Sequence, residues 1–244
     1  MRVLLGSGGY RTPERITLLQ ETMRSFFGPI RRLYFLPYAL ADHDGYVRIA
    51  LERGYDAGYE FVGLHTVAEP AAAIGQAEGI FVGGGNTFRL LDTLYRLKLL
   101  EPIRNRVRSG MPYLGVSAGC NVACPTIRTT NDMPICEPPS LTALGLVPFQ
   151  VNPHYYTGMN WVRRGDEFVE HFSETRDDRL REFHEMNDTP VVGLWEAGFL
   201  RCEDGAVRLI GAAARLFRKG QPPVDLEPGA ELTALLATSS SAGP

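Results

Sequence analysis

Short apolar runs alternate with longer amphipathic stretches through the first half of the chain. The apolar runs are three or four residues long and are bounded by turn residues, as is typical of strands buried in a sheet. They lie at Val3–Leu5, Leu33–Leu36, Phe61–Leu64, Ile80–Val82 and Tyr113–Val116. Helical periodicity covers Pro13–Phe27, Asp42–Arg53, Ala71–Ala77 and Thr87–Arg108, the last with a break expected near Glu101-Pro102. This alternation predicts an α/β fold, a mostly parallel sheet with helices on both faces.

The pattern loosens after Gly119. Residues 125–156 are rich in Pro, Thr and Asn, which predicts long loops that carry function. Beyond them the sequence predicts a charged helix and four strands, the second and third joined as a C-terminal β-hairpin. These elements are Ser173–Met186 for the helix, then Val191–Leu194, Phe199–Cys202, Val207–Ile210 and Ala214–Arg218 for the strands. We find no repeat or linker, so we expect a single α/β catalytic domain over residues 1–237. The small polar residues 238–244 suggest a flexible tail or cloning remnant.

Composition narrows the class of protein. The 244 residues are 44% hydrophobic and 22% charged, as in an ordinary soluble domain. A net charge of −3 gives no general attraction to nucleic acid or to an anionic membrane. No apolar stretch approaches the roughly 18 residues of a membrane span, and the N-terminus lacks a signal-peptide core. The four cysteines show neither a C-x-x-C pair nor zinc spacing, so we expect a cytoplasmic protein with reduced thiols and without metal or other cofactor.

The strongest chemical signal is Gly115-Val116-Ser117-Ala118-Gly119, which follows an apolar strand. In a G-x-S-x-G turn between a strand and a helix, the serine hydroxyl is lifted from the sheet. The amide of Ala118 then faces the same space and is a candidate donor to an oxyanion. Cys120 is a rival nucleophile, but it falls inside the following helix and not at the apex of the turn. Ser117 is therefore the predicted nucleophile of a hydrolase.

A second signal is the run of three glycines before Asn86, at the end of another apolar strand. Glycines let the backbone approach a ligand closely and point its amides at it. The run does not match G-x-G-x-x-G, and no P-loop lysine follows, so a nucleotide site is not indicated. We expect the amide of Gly84 or Gly85 to contribute to an oxyanion hole.

A serine nucleophile needs a base, and the chain has five histidines. His154 follows a proline in a loop beyond an apolar run, which favours it as the base that takes the serine proton and passes it to the leaving amine. His171 and His184 lie in charged sequence and are expected to be solvated. Asp132 and Glu196 are both candidates for the third group, which would orient the imidazole, and the residues alone leave that choice open.

At these residues the chain resembles the peptidase E family, serine peptidases whose fold is like that of class I glutamine amidotransferases. The matching stretches are Val82–Phe88, Gly115–Gly119, Ala123–Pro134, Asn152–His154, Glu174–Arg176 and Gly193–Glu196. The stretch Ala123–Pro134 is the most specific, and the cyanophycinases, which lack it, are implied as more distant relatives. The resemblance implies a flavodoxin-like α/β fold and cleavage of dipeptides with an N-terminal aspartate, without metal.

The resemblance also implies roles for individual residues. It places the nucleophile on Ser117 and the base on His154, and it ranks Asp132 ahead of Glu196 as the orienting acid. A departure from the family pattern is Cys120, where alanine is usual. Cys120 lies outside the G-x-S-x-G motif and leaves it intact, although its thiol adds a possible site of oxidation.

For the substrate, the resemblance implies that Arg176 clamps the side-chain carboxylate of a small acidic dipeptide, with Arg128 as the second choice. From the residues alone, Arg176 would be a solvated helix residue paired with Glu174 or Asp177. Asn86 and a nearby carboxylate would hold the α-ammonium group. Domains with such sheets often dimerise, so a homodimer is compatible with the sequence.

Two other functions are weighed against this hypothesis. An α/β-hydrolase esterase would have the chain order Ser, acid, His, which Ser117, Asp132 and His154 satisfy. The short gap before His154 and the glycine run disfavour it, because that fold normally inserts strands between acid and histidine. A non-enzymatic binding protein is disfavoured because nucleophile, base and acid are all present.

Overall fold

The computed structural model describes residues 1–237, and the predicted tail at 238–244 lies outside the described residues. The strands are β1 (Val3–Gly6), β2 (Arg32–Leu36), β3 (Glu60–Gly63), β4 (Ile80–Val82), β5 (Tyr113–Val116), β6 (Gln150–Pro153), β7 (Asn160–Arg164), β8 (Glu167–His171), β9 (Val191–Leu194), β10 (Phe199–Glu203), β11 (Ala206–Ile210), β12 (Ala214–Phe217) and β13 (Val224–Leu226). The helices are α1 (Pro13–Phe27), α2 (His43–Glu52), α3 (Pro70–Gly75), α4 (Thr87–Arg96), α5 (Leu100–Arg108), α6 (Ala118–Ala123) and α7 (Arg176–Met186), with 3₁₀ turns at Leu64–Thr66 and Thr233–Ala237.

The main sheet has seven strands in the order β11-β10-β1-β5-β4-β2-β3. The five strands from β1 to β3 in that order are parallel, and the β10–β11 hairpin pairs antiparallel to β1. Val3 and Leu5 enter one buried cluster with α4 and α5, whereas Leu4 enters another with α1. Alternate residues of a strand point to opposite faces, so helices cover both sides of the sheet. The predicted α/β fold, including its C-terminal hairpin, is confirmed.

A second sheet of four strands, ordered β13-β12-β9-β6, was only partly predicted. The sequence predicted β9 and β12, but it assigned residues 125–156 to loops, and β6 lies within them. The four residues of β6 are all buried although two of them, Gln150 and Asn152, are polar. Side-chain hydrogen bonds compensate for the burial of these polar residues. The strand is therefore buried without the apolar run by which the other strands were predicted. The exposed β7–β8 hairpin was missed for the related reason that little of it is buried.

Two predicted helix boundaries differ from the structure by a few residues. The long helical stretch breaks between Arg96 and Leu100, where Lys98 has a φ of +53°, and not at Glu101-Pro102. Pro102 instead lies in the first turn of α5, where its missing N–H breaks no helical hydrogen bond. Helix α7 begins at Arg176 and not at Ser173, because a capping box between Thr175 and Asp178 fixes its start.

Candidate active site

Ser117 lies between β5 and α6 with a φ of +56° and a ψ of −110°, an unfavourable backbone conformation for a residue with a side chain. The turn closes so tightly that a Cβ on Gly115 would overlap the carbonyl oxygen of Gly119. A Cβ on Gly119 would in turn overlap the carbonyl oxygen of Val82 on the neighbouring strand. The flanking glycines are therefore a steric requirement of the turn that presents the serine hydroxyl.

His154 lies between Ser117 and Glu196 in an unbroken hydrogen-bond series. Its Nε2 is 2.8 Å from Ser117 Oγ, and its Nδ1 is 2.7 Å from Glu196 Oε1. The neighbours β6 and β9 are parallel, with Pro153 in register with Leu194, so histidine and glutamate leave the same edge of the second sheet. The site is thus built between two sheets, with the serine on one and the histidine and glutamate on the other.

The hydrogen bond from His154 lowers the pKa of Glu196. Burial acts against this shift, while the charges of Arg15 and Arg11 add to it. An ionised Glu196 accepts from Nδ1–H, which leaves Nε2 with the lone pair that the Ser117 hydroxyl can donate to. The His154 and Glu196 side chains are 40% and 38% exposed, so the series is open to a ligand.

Asp132, which the resemblance ranked first as the orienting acid, lies elsewhere. Its Oδ2 accepts from the Thr87 amide at 2.8 Å, the Thr87 hydroxyl at 2.6 Å and the Thr130 hydroxyl at 3.1 Å. Within residues 1–237 no hydrogen bond joins Asp132 to His154. The positive N-terminal end of α4 and its free amide attract this carboxylate, and the geometry supports Glu196 in the orienting position instead.

The glycine run packs directly against the serine. A Cβ on Gly84 would lie 3.0 Å from Ser117 Cβ and 3.4 Å from its Oγ. Burial raises the pKa of Tyr46 to about 12, and a backbone hydrogen bond from Gly84 opposes that rise. The amides of Gly85 and Ala118 donate to no backbone carbonyl in the hydrogen bonds of residues 1–237, so they are the candidates to bind an oxyanion.

The structure does not support the ammonium-binding role expected of Asn86. Its Oδ1 accepts from the Arg89 amide at 3.0 Å, and its Nδ2 donates to the Met133 carbonyl at 2.8 Å. Both ends of the amide are therefore used, one to cap α4 and the other to hold the loop at Met133. Arg128, the second-choice clamp, is exposed, and no hydrogen bond links its side chain to Ser117 or the other described site residues.

Arg176 differs from the solvated residue that its sequence neighbours would suggest. Glu174 pairs with Arg179 and Asp177 pairs with Arg215, so neither acid neutralises it. Its Nη1 instead donates to Asn131 Oδ1 at 2.5 Å, and its Nε is buried without a partner in the described chain. Burial lowers the pKa of Arg176. A cationic side chain held this way is available to an anionic ligand.

The segment that follows β1 was missed by sequence reasoning. A Cβ on Gly8 would lie 2.6 Å from His154 Cε1, and a Cβ on Gly9 would overlap Glu196 Oε2. Only a backbone without side chains can lie this close to the histidine and the glutamate. The glycine pair at positions 8 and 9, three residues beyond the predicted strand Val3–Leu5, was the available signal, of the same kind as the glycine run before Asn86.

Other candidates from the sequence are not in position to react. Cys120 is fully buried, its thiol donates to the Gly6 carbonyl at 3.3 Å, and burial raises its pKa. A protonated, enclosed thiol is not a nucleophile. His184 is buried, contrary to the prediction that it is solvated, and its Nδ1 is 3.1 Å from the Asn187 carbonyl. His171 is exposed, as expected, and lies at the end of β8.

Across residues 1–237, no group of three or more His, Cys, Asp or Glu side chains is arranged to hold a metal ion. No helix in the same residues is both long and apolar enough to cross a bilayer.

An α/β fold with serine, histidine and carboxylate in hydrogen-bond series is the arrangement found in serine hydrolases. The model of peptidase family S51 matches residues 3–210, and the chain belongs to this family. The match confirms the predicted resemblance and a serine-type, peptidase E-like hydrolase. It also favours a peptidase over the esterase and the non-enzymatic binding protein.

Individual relatives agree with the family match. Peptidase E of Streptomyces coelicolor is 49% identical over 217 residues, which cover 88% of this chain and 86% of the relative. A probable alpha-aspartyl dipeptidase of Drosophila melanogaster is 45% identical, covering 85% and 84%. Among solved structures, a peptidase from an acI-B1 Actinobacterium aligns with a TM-score of 0.63 at 19% identity, covering 95% of this chain and 96% of that one. A likeness at that identity supports the fold alone.

Proposed function

We propose that this protein is a serine dipeptidase that cleaves dipeptides with an N-terminal aspartate. The observation that carries the proposal is the unbroken series from Ser117 Oγ through His154 to Glu196, at 2.8 and 2.7 Å. This spacing is within the range required for proton transfer from a serine hydroxyl to an imidazole oriented by a carboxylate.

In the proposed reaction His154 Nε2 takes the Ser117 proton as Oγ attacks the peptide carbonyl. The negative charge on the carbonyl oxygen is stabilised by the amides of Gly85 and Ala118. His154 then protonates the leaving amine, the C–N bond breaks, and an acyl-enzyme remains. Water, deprotonated by the same imidazole, attacks the ester carbonyl; the bond to Ser117 Oγ breaks, His154 returns the proton to Oγ, and aspartate is released.

Arg176 is proposed to bind the substrate's side-chain carboxylate. It lines a cavity of about 280 Å³, and its guanidinium carbon lies 5.4 Å from the centre of the Tyr156 ring. The Asn131 side chain that accepts from Arg176 also donates to the Pro153 carbonyl at 2.8 Å, one residue before the base. The clamp is therefore linked directly to the loop of His154. The name of the Drosophila relative, a probable alpha-aspartyl dipeptidase, also supports an aspartyl substrate.

Asp132 is the better candidate to hold the substrate's α-ammonium group, since Asn86 is occupied. All three hydrogen bonds to its carboxylate end on Oδ2. Oδ1 therefore remains as an acceptor for a cation. The charge of Asp132 also reaches the guanidinium of Arg176 and acts against the burial that lowers its pKa. A dipeptide with an N-terminal aspartate presents both groups that these two residues would bind, an ammonium and a carboxylate.

The nucleophile is tested with Ser117→Ala and with Cys120→Ser as its matched control three residues away. We expect Ser117→Ala to lower kcat for Asp-Leu by about 10⁴-fold or more, because the acyl-enzyme can no longer form. Cys120→Ser should retain most of the activity. Full hydrolysis of Asp-Leu by Ser117→Ala would refute the mechanism.

Specificity is tested by comparing Asp-Leu with Asn-Leu. Loss of the substrate charge leaves a half-buried guanidinium unpaired, so kcat/KM should fall by about 100-fold or more. In Arg176→Gln that discrimination should largely disappear, whereas in Arg128→Gln it should persist. Equal turnover of the two dipeptides by the unmodified enzyme would exclude an aspartyl clamp.

A further inference from the structure

Residues at the carboxyl end of β1 accept hydrogen bonds from the backbone amides of both Ser117 and His154. The Gly6 carbonyl accepts from the Ser117 amide at 3.0 Å. The next residue, Ser7, accepts with its hydroxyl oxygen from the His154 amide at 2.8 Å. Two consecutive residues therefore hold the nucleophile of the main sheet and the base of the second sheet.

Ser7 also reaches the strand that leads to Glu196. Its hydroxyl donates to the Leu194 carbonyl at 2.8 Å, and its amide donates to the Gly198 carbonyl at 2.9 Å. Because the hydroxyl proton is used for Leu194, a lone pair of the oxygen faces the His154 amide. Ser7 is fully buried, so no water competes for these bonds.

The residue that Ser7 holds needs such support. His154 has a φ of +55°, in the left-handed region that residues with a Cβ rarely adopt. Such a conformation persists only where surrounding contacts fix it. The Ser7 hydroxyl fixes the amide of His154, and the bare backbone of Gly8 lies against its ring.

We propose that Ser7 is a positioning residue for the reaction: its hydroxyl sets the distance from His154 to Ser117 by tying the base loop to the end of β1, where the Gly6 carbonyl binds the Ser117 amide. This role rests on the proposed function of Ser117, His154 and Glu196. Ser7 touches neither substrate nor a reacting atom, and it acts through the backbone of His154.

The test is a double-mutant cycle of Ser7→Ala with His154→Ala, measured as kcat and KM for Asp-Leu. In Ser7→Ala alone we expect kcat to fall by about 10- to 100-fold with KM little changed, because the base is misplaced and not the substrate. In the His154→Ala background, Ser7→Ala should cause no further loss. Thr93→Val, which removes a buried hydroxyl of α4, is the matched control and should leave kcat unchanged.

An equal fractional loss in both backgrounds, or an unchanged kcat in folded Ser7→Ala, would overturn the positioning role. If Ser7→Ala does not fold, Ser7→Cys enters the same cycle with the same expectations, because its thiol fills the space but accepts hydrogen bonds weakly. An active His154→Ala enzyme would refute the triad itself, and the role of Ser7 with it.

Discussion

The two sheets contribute differently to the candidate active site. The main sheet presents Ser117 from β5, a strand made of apolar residues and glycine inside a parallel array. The second sheet presents His154 from β6, a strand whose buried Asn152 is held by hydrogen bonds. Strand β5 is held mostly by apolar burial, whereas β6 adds hydrogen bonds from its buried polar side chains Gln150 and Asn152. Function depends on the distance between them, so small changes at the contact should affect catalysis more than stability.

The largest effect should come from the acid on the second sheet. Glu196→Gln keeps the shape of the side chain but cannot stabilise the imidazolium, so we expect kcat for Asp-Leu to fall by about 10³- to 10⁴-fold. Asp132→Asn should keep kcat within about 10-fold, because no hydrogen bond joins Asp132 to His154 in residues 1–237, and should raise KM through weaker ammonium binding. Steady-state kinetics of the two variants checks both, and the reverse ranking would mean that Asp132 orients the base.

A smaller effect on activity is expected from a change in β6, and comparison with a core variant separates the packing of the fold from the positioning of the active site. Asn152→Ala removes the side-chain donor to the Thr129 carbonyl and one of the two donors to the Asn131 side-chain oxygen, which should destabilise the fold by about 1–3 kcal/mol. It should also lower kcat/KM, since Asn131 holds Arg176 and lies against the base loop. Leu209→Ala, in the buried core at β11, should cost about 2–5 kcal/mol and leave the activity of the folded enzyme unchanged.

Urea unfolding and the kinetics of the folded fraction distinguish the two variants. If Asn152→Ala lost only stability, β6 would be a structural strand with no influence on the site. If Leu209→Ala lowered kcat as well, core packing at β11 would also affect the active site, and the proposed separation of stability from positioning would be wrong.

Much of the site could be predicted, because its signals are local. The turn at Ser117 requires glycines on both sides for steric reasons, and those glycines can be read directly in the sequence. His154 was identified from its place in a loop after a proline. The choice between Asp132 and Glu196 could not be made in the same way, since both are single carboxylates near the ends of plausible elements.

The cytoplasmic location, the homodimer, the acidic dipeptide substrate and the absence of nucleic-acid or membrane partners stay predictions. The family match bears on the class of enzyme and not on its compartment or its assembly.

The sequence by itself determined the strands of the main sheet and the turn at Ser117. Apolar periodicity and steric crowding involve only residues that are close in sequence, so a short stretch of sequence is enough to predict these features. Only the tertiary structure decided which acid meets the base, because His154 and Glu196 are 42 residues apart and meet through the pairing of β6 with β9. It also revealed Ser7, whose hydroxyl lies 147 residues from His154 in sequence and 2.8 Å from its amide in space. A hydrogen bond across two sheets depends on their packing, which no short stretch of sequence specifies.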